Sequence, residues 1–332
     1  MVKLMATKRK KKKQKYRLKE EAKRFLVYFG VSALILLYAI MKCNELISDY
    51  KYKQTHEYKL LELGYTKEET SSILSSIKSK YLDDILAEEE TNTFYTSLVS
   101  NQYYIKDNYE DYLNYYKYHQ TTEAKEIIGI INSKANLEWY STTEKANTST
   151  NPILVNKYYY IDETYDTSNI ININLQSSYA NNKATEETVN AYYELWNAAK
   201  EELGINLMVS SSYRSFDTQT NRYAEFKKVS LEYADTFCAR SGHSEHQTGL
   251  ALDIVSTKNP TRVNFIQSEE YEWLKNNAHK YGFIIRYPDD KFYITGFKNE
   301  ENHIRYVGQI VAEKIYNEDI TLEEYYAFYI AK

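Results

Sequence analysis

Hydrophobic and polar positions divide this chain into stretches of different periodicity. Residues 25–41 (FLVYFGVSALILLYAIM) form a run of seventeen without a charge, at the lower limit for an α-helix that crosses a bilayer. From 44 to 145 the apolar residues recur at helical spacing. Leu60, Leu61 and Leu63 end at Gly64, the residue type that closes helices. Thr66 with Glu69 then reads as a capping box opening a helix through Ile73, Leu74 and Ile77. Residues 94–118 and 122–131 predict further helices, and the polar stretch 141–151 (STTEKANTSTN) a linker.

Beyond the linker, strand and helix patterns alternate. Residues 153–160 are strand-like. Thr185 opens a helix with Val189, Tyr192, Trp196 and Leu203 on one face, ending at Gly204. A strand is expected over 205–210 and one long helix, capped by Ser215, over 216–237. Leu250, Leu252 and Ile254 alternate with Ala251, Asp253 and Val255 as a strand. A helix over 268–281 stops at Gly282. Strands over 283–287 and 292–295 flank Pro288-Asp289-Asp290 as a hairpin, and 308–316 closes as a helix. Strands interleaved with helices and joined in part by a hairpin give an α+β fold. Glycine and proline usage agrees with a boundary near 150, since all three prolines and six of nine glycines follow it.

Charge fixes an orientation for the apolar run. The net charge is −4, yet twelve of the 42 Lys and Arg lie in the first 24 residues. A basic flank stays in the cytoplasm, so the chain after Met41 is expected outside the cell. No A-x-A-like cleavage site follows, and Met41 and Lys42 stand before Cys43 where a lipobox needs small residues. The run therefore reads as an uncleaved, single-pass signal anchor in the cell membrane. The basic tail could otherwise suit nucleic acid, but that partner requires a wholly cytoplasmic chain and is not expected. Cys43 and Cys238, the only cysteines, stand too far apart in role to form a disulfide framework. The 36 tyrosines suit half-buried helix faces and imply no particular groove.

The chemistry concentrates in 241–255, SGHSEHQTGLALDIV. If the leucines of this strand pack inward, Asp253 points the other way, and an acid in so apolar a run needs a partner. His246, across the Thr248-Gly249 turn, can fold back to meet it. His nitrogen and Asp oxygen are both zinc ligands, although a hydrogen-bonded core pair explains the same spacing equally well. His303 supplies a third ligand best, since Glu300 three residues before it offers a general base.

Ser244 to Asp253, S-E-H-Q-T-G-L-A-L-D, resembles the signature S-x-H-x-x-G-x-A-x-D of VanY-type D-alanyl-D-alanine carboxypeptidases, zinc peptidases grouped with lysostaphin and the hedgehog fold. The likeness extends over roughly 150–318, through Ser212-Tyr213-Arg214-Ser215 with Gln219, Tyr281-Gly282-Phe283, Arg286-Tyr287-Pro288 and Arg305-Tyr306-Val307-Gly308. It implies one Zn2+ held by His246, Asp253 and His303. Glu300 matches the base that activates water and later protonates the leaving amine, and Arg214 the arginine that steadies the oxyanion. Gln219, Ser244 and Tyr213 match positions that line the substrate site. Glu245 and His243 read as structural or exposed, Cys238 as a small buried hydrophobe, and His56, His119 and His279 as solvent-facing.

The resemblance implies removal of the terminal D-Ala from peptidoglycan stem peptides. The alternatives are L,D-carboxypeptidase action on tetrapeptide stems and a non-catalytic wall-binding module. One departure bears on specificity. The family pattern E-P-W-H is here Glu300-Glu301-Asn302-His303, so the Pro and Trp that rigidify and roof the site are replaced. The expected organisation is a basic cytoplasmic tail (1–24), a transmembrane anchor (25–43), a helical extracytoplasmic stalk (44–145), a zinc peptidase domain with a small antiparallel sheet and surrounding helices (150–318), and a C-terminal tail (319–332).

Overall fold

The computed structural model describes residues 2–174, 181–298 and 300–331, and side chains outside 2–18 and 48–55; the basic side chains at 8–17 fall outside that set. The chain forms two compact units, Met1–Ser100 and Asn101–Lys332.

In the first unit, helix α1 (Val2–Leu63) runs unbroken. Its stretch Lys19–Ile47 is long and apolar enough to cross a membrane, and none of that window is buried by the rest of the chain. Gly64 closes the helix at φ 104°. Thr66 and Glu69 form the expected capping box, Glu69 N–H donating to Thr66 Oγ1 at 3.2 Å and Thr66 N–H to Glu69 Oε2 at 2.8 Å. Short helices follow, and Leu60, Ile73, Ile85 and Leu98 lose all contact with water among them. His56 does not face solvent as expected: it is buried, with Nε2 3.5 Å from Asp83 Oδ1.

The second unit begins near 101 rather than 150. Helices Tyr109–Tyr118 and Ala124–Asn132 belong to it. The expected linker takes part in structure, because Glu144–Lys145 pairs in parallel with Tyr159–Tyr160. Only those last two residues of the expected 153–160 strand are extended in a ladder; Ile153, Leu154 and Val155 are buried in irregular backbone.

Helix α2 (Glu186–Leu203) starts at its Thr185 cap and ends at Gly204, whose φ of +66° is the left-handed cap glycine permits. It leads into β1 (Leu207–Ser211). The single helix expected over 216–237 is two, α3 (Phe216–Lys227) and α4 (Leu231–Phe237). Ser230 breaks it by turning extended and capping α4, accepting from Tyr233 N–H at 2.9 Å. Then come β2 (Ala251–Ser256), α5 (Glu269–Asn277), β3 (Phe283–Ile285), β4 (His303–Tyr306) and α6 (Gln309–Glu318).

The four strands make one antiparallel sheet in the order β1-β2-β4-β3. Leu207, Val209, Leu252, Ile254, Phe283 and Ile304 project from it into a core completed by Tyr192 and Leu195 of α2 and Leu274 of α5. Each such side chain contributes roughly 1.5–3 kcal/mol through burial. The hairpin expected between 283–287 and 292–295 does not form. Phe292–Thr295 is a helical turn closed by Gly296 at φ +75°, and β3 takes its ladder from β4 instead.

Residues 319–332 are not a loose tail. Helix α7 (Leu322–Tyr325) carries a second capping box, Thr321 with Glu324, and buries Leu322, and the π-helical turn Tyr326–Ile330 after it buries Phe328. Phe328 stacks on Tyr103 with ring centroids 3.9 Å apart. Glu324 also explains Gly129 in the middle of an apolar helix: a Cβ there would stand 2.5 Å from Glu324 Oε1, and the capping box fixes that carboxylate.

Alanine normally stabilises a helix interior over glycine by about 1 kcal/mol. Here the sign should reverse, so Gly129→Ala is expected to lower the thermal unfolding midpoint of the purified protein. A raised midpoint would show that α7 does not press on this helix.

Candidate metal centre

Sheet register brings the first two site residues together. Asp253 on β2 is the direct cross-strand partner of His303 on β4, so their side chains share one face. His303 Nδ1 stands 2.9 Å from Asp253 Oδ1. His246 arrives from the 3-10 turn Glu245–Thr248, which Gly249 closes at φ +73° just before β2.

The tautomer of His246 follows from its neighbours. Its Nδ1 lies 2.7 Å from the Ser212 carbonyl oxygen, which can only accept, so Nδ1 carries the proton and Nε2 presents a lone pair. That Nε2 is buried without a hydrogen-bond partner, yet 3.3 Å from Asp253 Oδ1. Two electron-rich atoms face each other across a gap that calls for a cation. Ligands on one tetrahedral zinc, each about 2.0–2.2 Å from it, sit roughly 3.3 Å apart. One ligand atom from each of His246, Asp253 and His303 lies within 4.8 Å of the others. The donor set fits zinc, and with Nδ1 carrying the proton His246 has none to give Asp253.

His303 is held from behind by a residue that the sequence left as structural or exposed. Its Nε2 stands 3.4 Å from Glu245 Oε2, and Glu245 is buried. Arg286 Nε donates to Glu245 Oε1 at 2.8 Å and Arg305 Nη1 to the same oxygen at 2.7 Å. Burial alone would raise the Glu245 pKa, but the two guanidinium groups hold it well below the usual range. An outer carboxylate of this kind fixes the tautomer and orientation of a metal-ligating histidine. The only signal for it in the sequence was the pair of arginines inside motifs already matched.

Electrostatics separates the titratable groups. Burial and then Arg214 push His246 down to about 4, which keeps it neutral. Burial opposes charge on His303 as well, but its bonds to Asp253 and Glu245 outweigh that and lift it to about 9. Burial would also raise Asp253, yet it is held well below the usual carboxylate range, with the protonated His303 beside it. Burial and then the Asp253 charge push Glu300 up to about 7.

Glu300, Arg214, Ser244, His246 and His303 line one small pocket, walled further by Phe237, Cys238, Tyr287 and Phe297. Arg214 donates through Nη1 to Gln219 Oε1 at 2.7 Å and places Nη2 3.7 Å from Asp253 Oδ2, while its buried Nε has no partner. Gln219 is fully buried and spends its amide on the Ala239 carbonyl at 2.6 Å, so it orients Arg214. Tyr213 lies outside the pocket lining; its backbone N–H bonds Lys183 O at 2.9 Å. His243 is structural, its Nδ1 2.7 Å from Asn156 O. His119 is exposed, whereas His279 is half-buried and stacks on Tyr316 at 3.7 Å, against the expectation of a solvent-facing ring. Cys238 is buried, with its thiol pKa raised by burial.

The segment that departs from the family pattern has its own restraints. Arg262 Nη1 donates to Glu301 Oε2 at 3.1 Å. Asn302 is buried and donates through Nδ2 to Ile254 O at 3.1 Å, while Ile254 N–H donates to Asn302 O at 2.9 Å. Just upstream, buried Lys157 donates through Nζ to the carbonyls of Asp235, at 2.6 Å, and Gly296, with Nζ 3.3 Å above the Trp139 ring. Polar ties to β2 and to the preceding loop thus restrain the chain on both sides of Glu300.

Residues 181–309 match the family VanY, D-alanyl-D-alanine carboxypeptidase. The D-alanyl-D-alanine carboxypeptidase of Enterococcus faecalis is 36% identical over 184 residues, covering 52% of this chain and 64% of that protein. That of Enterococcus faecium is 32% identical over 211 residues, covering 58% and 66%. The chain thus spans a little under two thirds of the length of these relatives. The solved structure of the LdcB LD-carboxypeptidase, 36% identical, aligns with a TM-score of 0.50 over 53% of this chain and 85% of that one.

Because His303 is protonated below about 9 in the metal-free site, a metal at Nδ1 must displace that proton. Apparent zinc affinity, measured by chelator competition, should therefore rise between pH 7 and 9 by about tenfold per pH unit. A flat profile would rule out His303 Nδ1 as a ligand.

Proposed function

Since the chain belongs to the VanY family of D-alanyl-D-alanine carboxypeptidases, a family of zinc peptidases, we propose that it removes the terminal D-Ala from peptidoglycan stem peptides. The observation that carries this reading is the buried, unpartnered Nε2 of His246 facing Asp253, with Glu300 and Arg214 on the same pocket. His246, Asp253 and His303 would hold one zinc. When bound, zinc supplies a Lewis acid that makes water nucleophilic near neutral pH.

Glu300 takes a proton from the attacking water and returns it to the leaving amine nitrogen. Its elevated pKa, about 7, suits a group that must both accept and donate; a divalent cation nearby would lower it. Arg214 donates to the oxyanion as the carbonyl carbon becomes tetrahedral, and its unpartnered Nε is the donor left for this. Gln219 keeps that guanidinium oriented. Ser244 lines the pocket beside them and is read as a substrate contact.

A second reading, L,D-carboxypeptidase action on tetrapeptide stems, is supported by the likeness to the LdcB LD-carboxypeptidase and by Glu301-Asn302 in place of Pro-Trp. The apolar Lys19–Ile47 stretch with its basic flank supports a single-pass anchor, N-terminus inside and Asn101–Lys332 outside the membrane.

Muropeptides with pentapeptide and with tetrapeptide stems, analysed by mass spectrometry, test both readings. Loss of one D-Ala from the pentapeptide, abolished by a zinc chelator and restored by zinc, is expected. No release from either stem by the zinc-loaded chain would refute the enzyme reading. Glu300→Gln should lower kcat by roughly 10²–10⁴-fold while zinc still binds. Undiminished turnover would remove Glu300 from the chemistry.

A further inference from the structure

The buried charges behind His303 do not end at Glu245. Arg286 and Arg305 share Glu245 Oε1, and none of these three side chains is exposed. Arg305 is anchored independently, through Nη2 to Ile153 O at 2.8 Å and Nε to Tyr306 O at 3.1 Å. Among the described residues the Arg286 side chain has no such backbone anchor. Its Nη1 and Nη2 donate to Glu323 Oε2 and Oε1 at 2.9 and 2.6 Å, a bidentate pair that sets the plane of the guanidinium. Glu323 is buried too, and Asn156 Nδ2 donates to its Oε1 at 3.2 Å.

The direction in which Arg286 presents Nε to Glu245 is thus dictated by Glu323. Glu323 lies on α7, beyond the residues that match the family. Its neighbour Glu324 has a different job, capping α7 and touching none of the arginines. Two arginines balance two glutamates in this enclosed set. Loss of one carboxylate leaves a guanidinium unpaired in a dry interior, where it must reorient or draw in water.

We propose that Glu323 is a positioning residue for the zinc ligand His303, acting through Arg286 and Glu245, which makes the C-terminal segment part of the metal centre. This rests on the reading that His246, Asp253 and His303 hold zinc.

The test is zinc affinity of the full-length protein by competition with a chromogenic chelator, with folding followed by circular dichroism. Glu323→Gln should stay folded and bind zinc roughly 10–100-fold more weakly, as the loss of an outer-shell partner does. Thr321→Ala loosens the cap of the same helix without touching the charges, and should keep zinc affinity within about twofold. Where Glu323→Gln does not fold, the paired change Arg286→Met with Glu323→Leu removes the unpaired charge and should show the same weakening. Wild-type zinc affinity in folded Glu323→Gln, or in the folded double variant, overturns the proposal. So does an equal loss in Thr321→Ala, which would reduce Glu323 to general packing. A wild-type chain that binds no stoichiometric zinc overturns the metal reading itself, and this inference with it.

Discussion

Asp253 and His303 face one another across adjacent antiparallel strands, and the rest of the site is arranged around that contact. A carboxylate enclosed by apolar strands is tolerated only if positive charge or strong donors surround it. The fold supplies the protonated His303 imidazole at 2.9 Å and an arginine at 3.7 Å, while the His246 lone pair at 3.3 Å leaves room for a cation between them. Because the aspartate and one histidine sit on paired strands, their separation is fixed by the ladder spacing. Only His246 depends on a turn, and Gly249 allows that turn to close tightly.

Several parts of this were readable from the chain. The alternation through 250–255 and the matched motif pointed to His246, Asp253, His303 and Glu300, and the Thr185 and Gly204 caps fixed α2. These signals are local: the strand and both caps form where they were expected, and the structure brings His246, Asp253 and His303 within reach of one another. Glu245 was not readable, since an acid beside a histidine looks like surface until Arg286 and Arg305 arrive from β-strands 41 and 60 residues away. The break at Ser230 was missed because apolar spacing continues through it. The hairpin at 292–295 failed for a complementary reason: strand propensity was present, but β3 found its partner in β4.

Glu301-Asn302 stands where the family pattern has Pro-Trp, and it is restrained by contacts of its own. A proline restrains the backbone through its ring; here the restraint comes from hydrogen bonds between Asn302 and Ile254 and an ion pair to Arg262. The ion pair is partly exposed, so it is screened by salt and contributes little alone. The Asn302 bonds are buried and carry most of the restraint. What is lost is the indole's bulk, which leaves Tyr287 and Phe297 as aromatic walls of the pocket.

Tyr103 and Tyr329, whose hydroxyls meet at Glu318, are 226 residues apart in sequence. Closing so long a loop is entropically slow to achieve, and no shorter piece of the chain can do it. The contact draws together two segments from opposite ends of the Asn101–Lys332 unit, so that unit is clasped only once both are present.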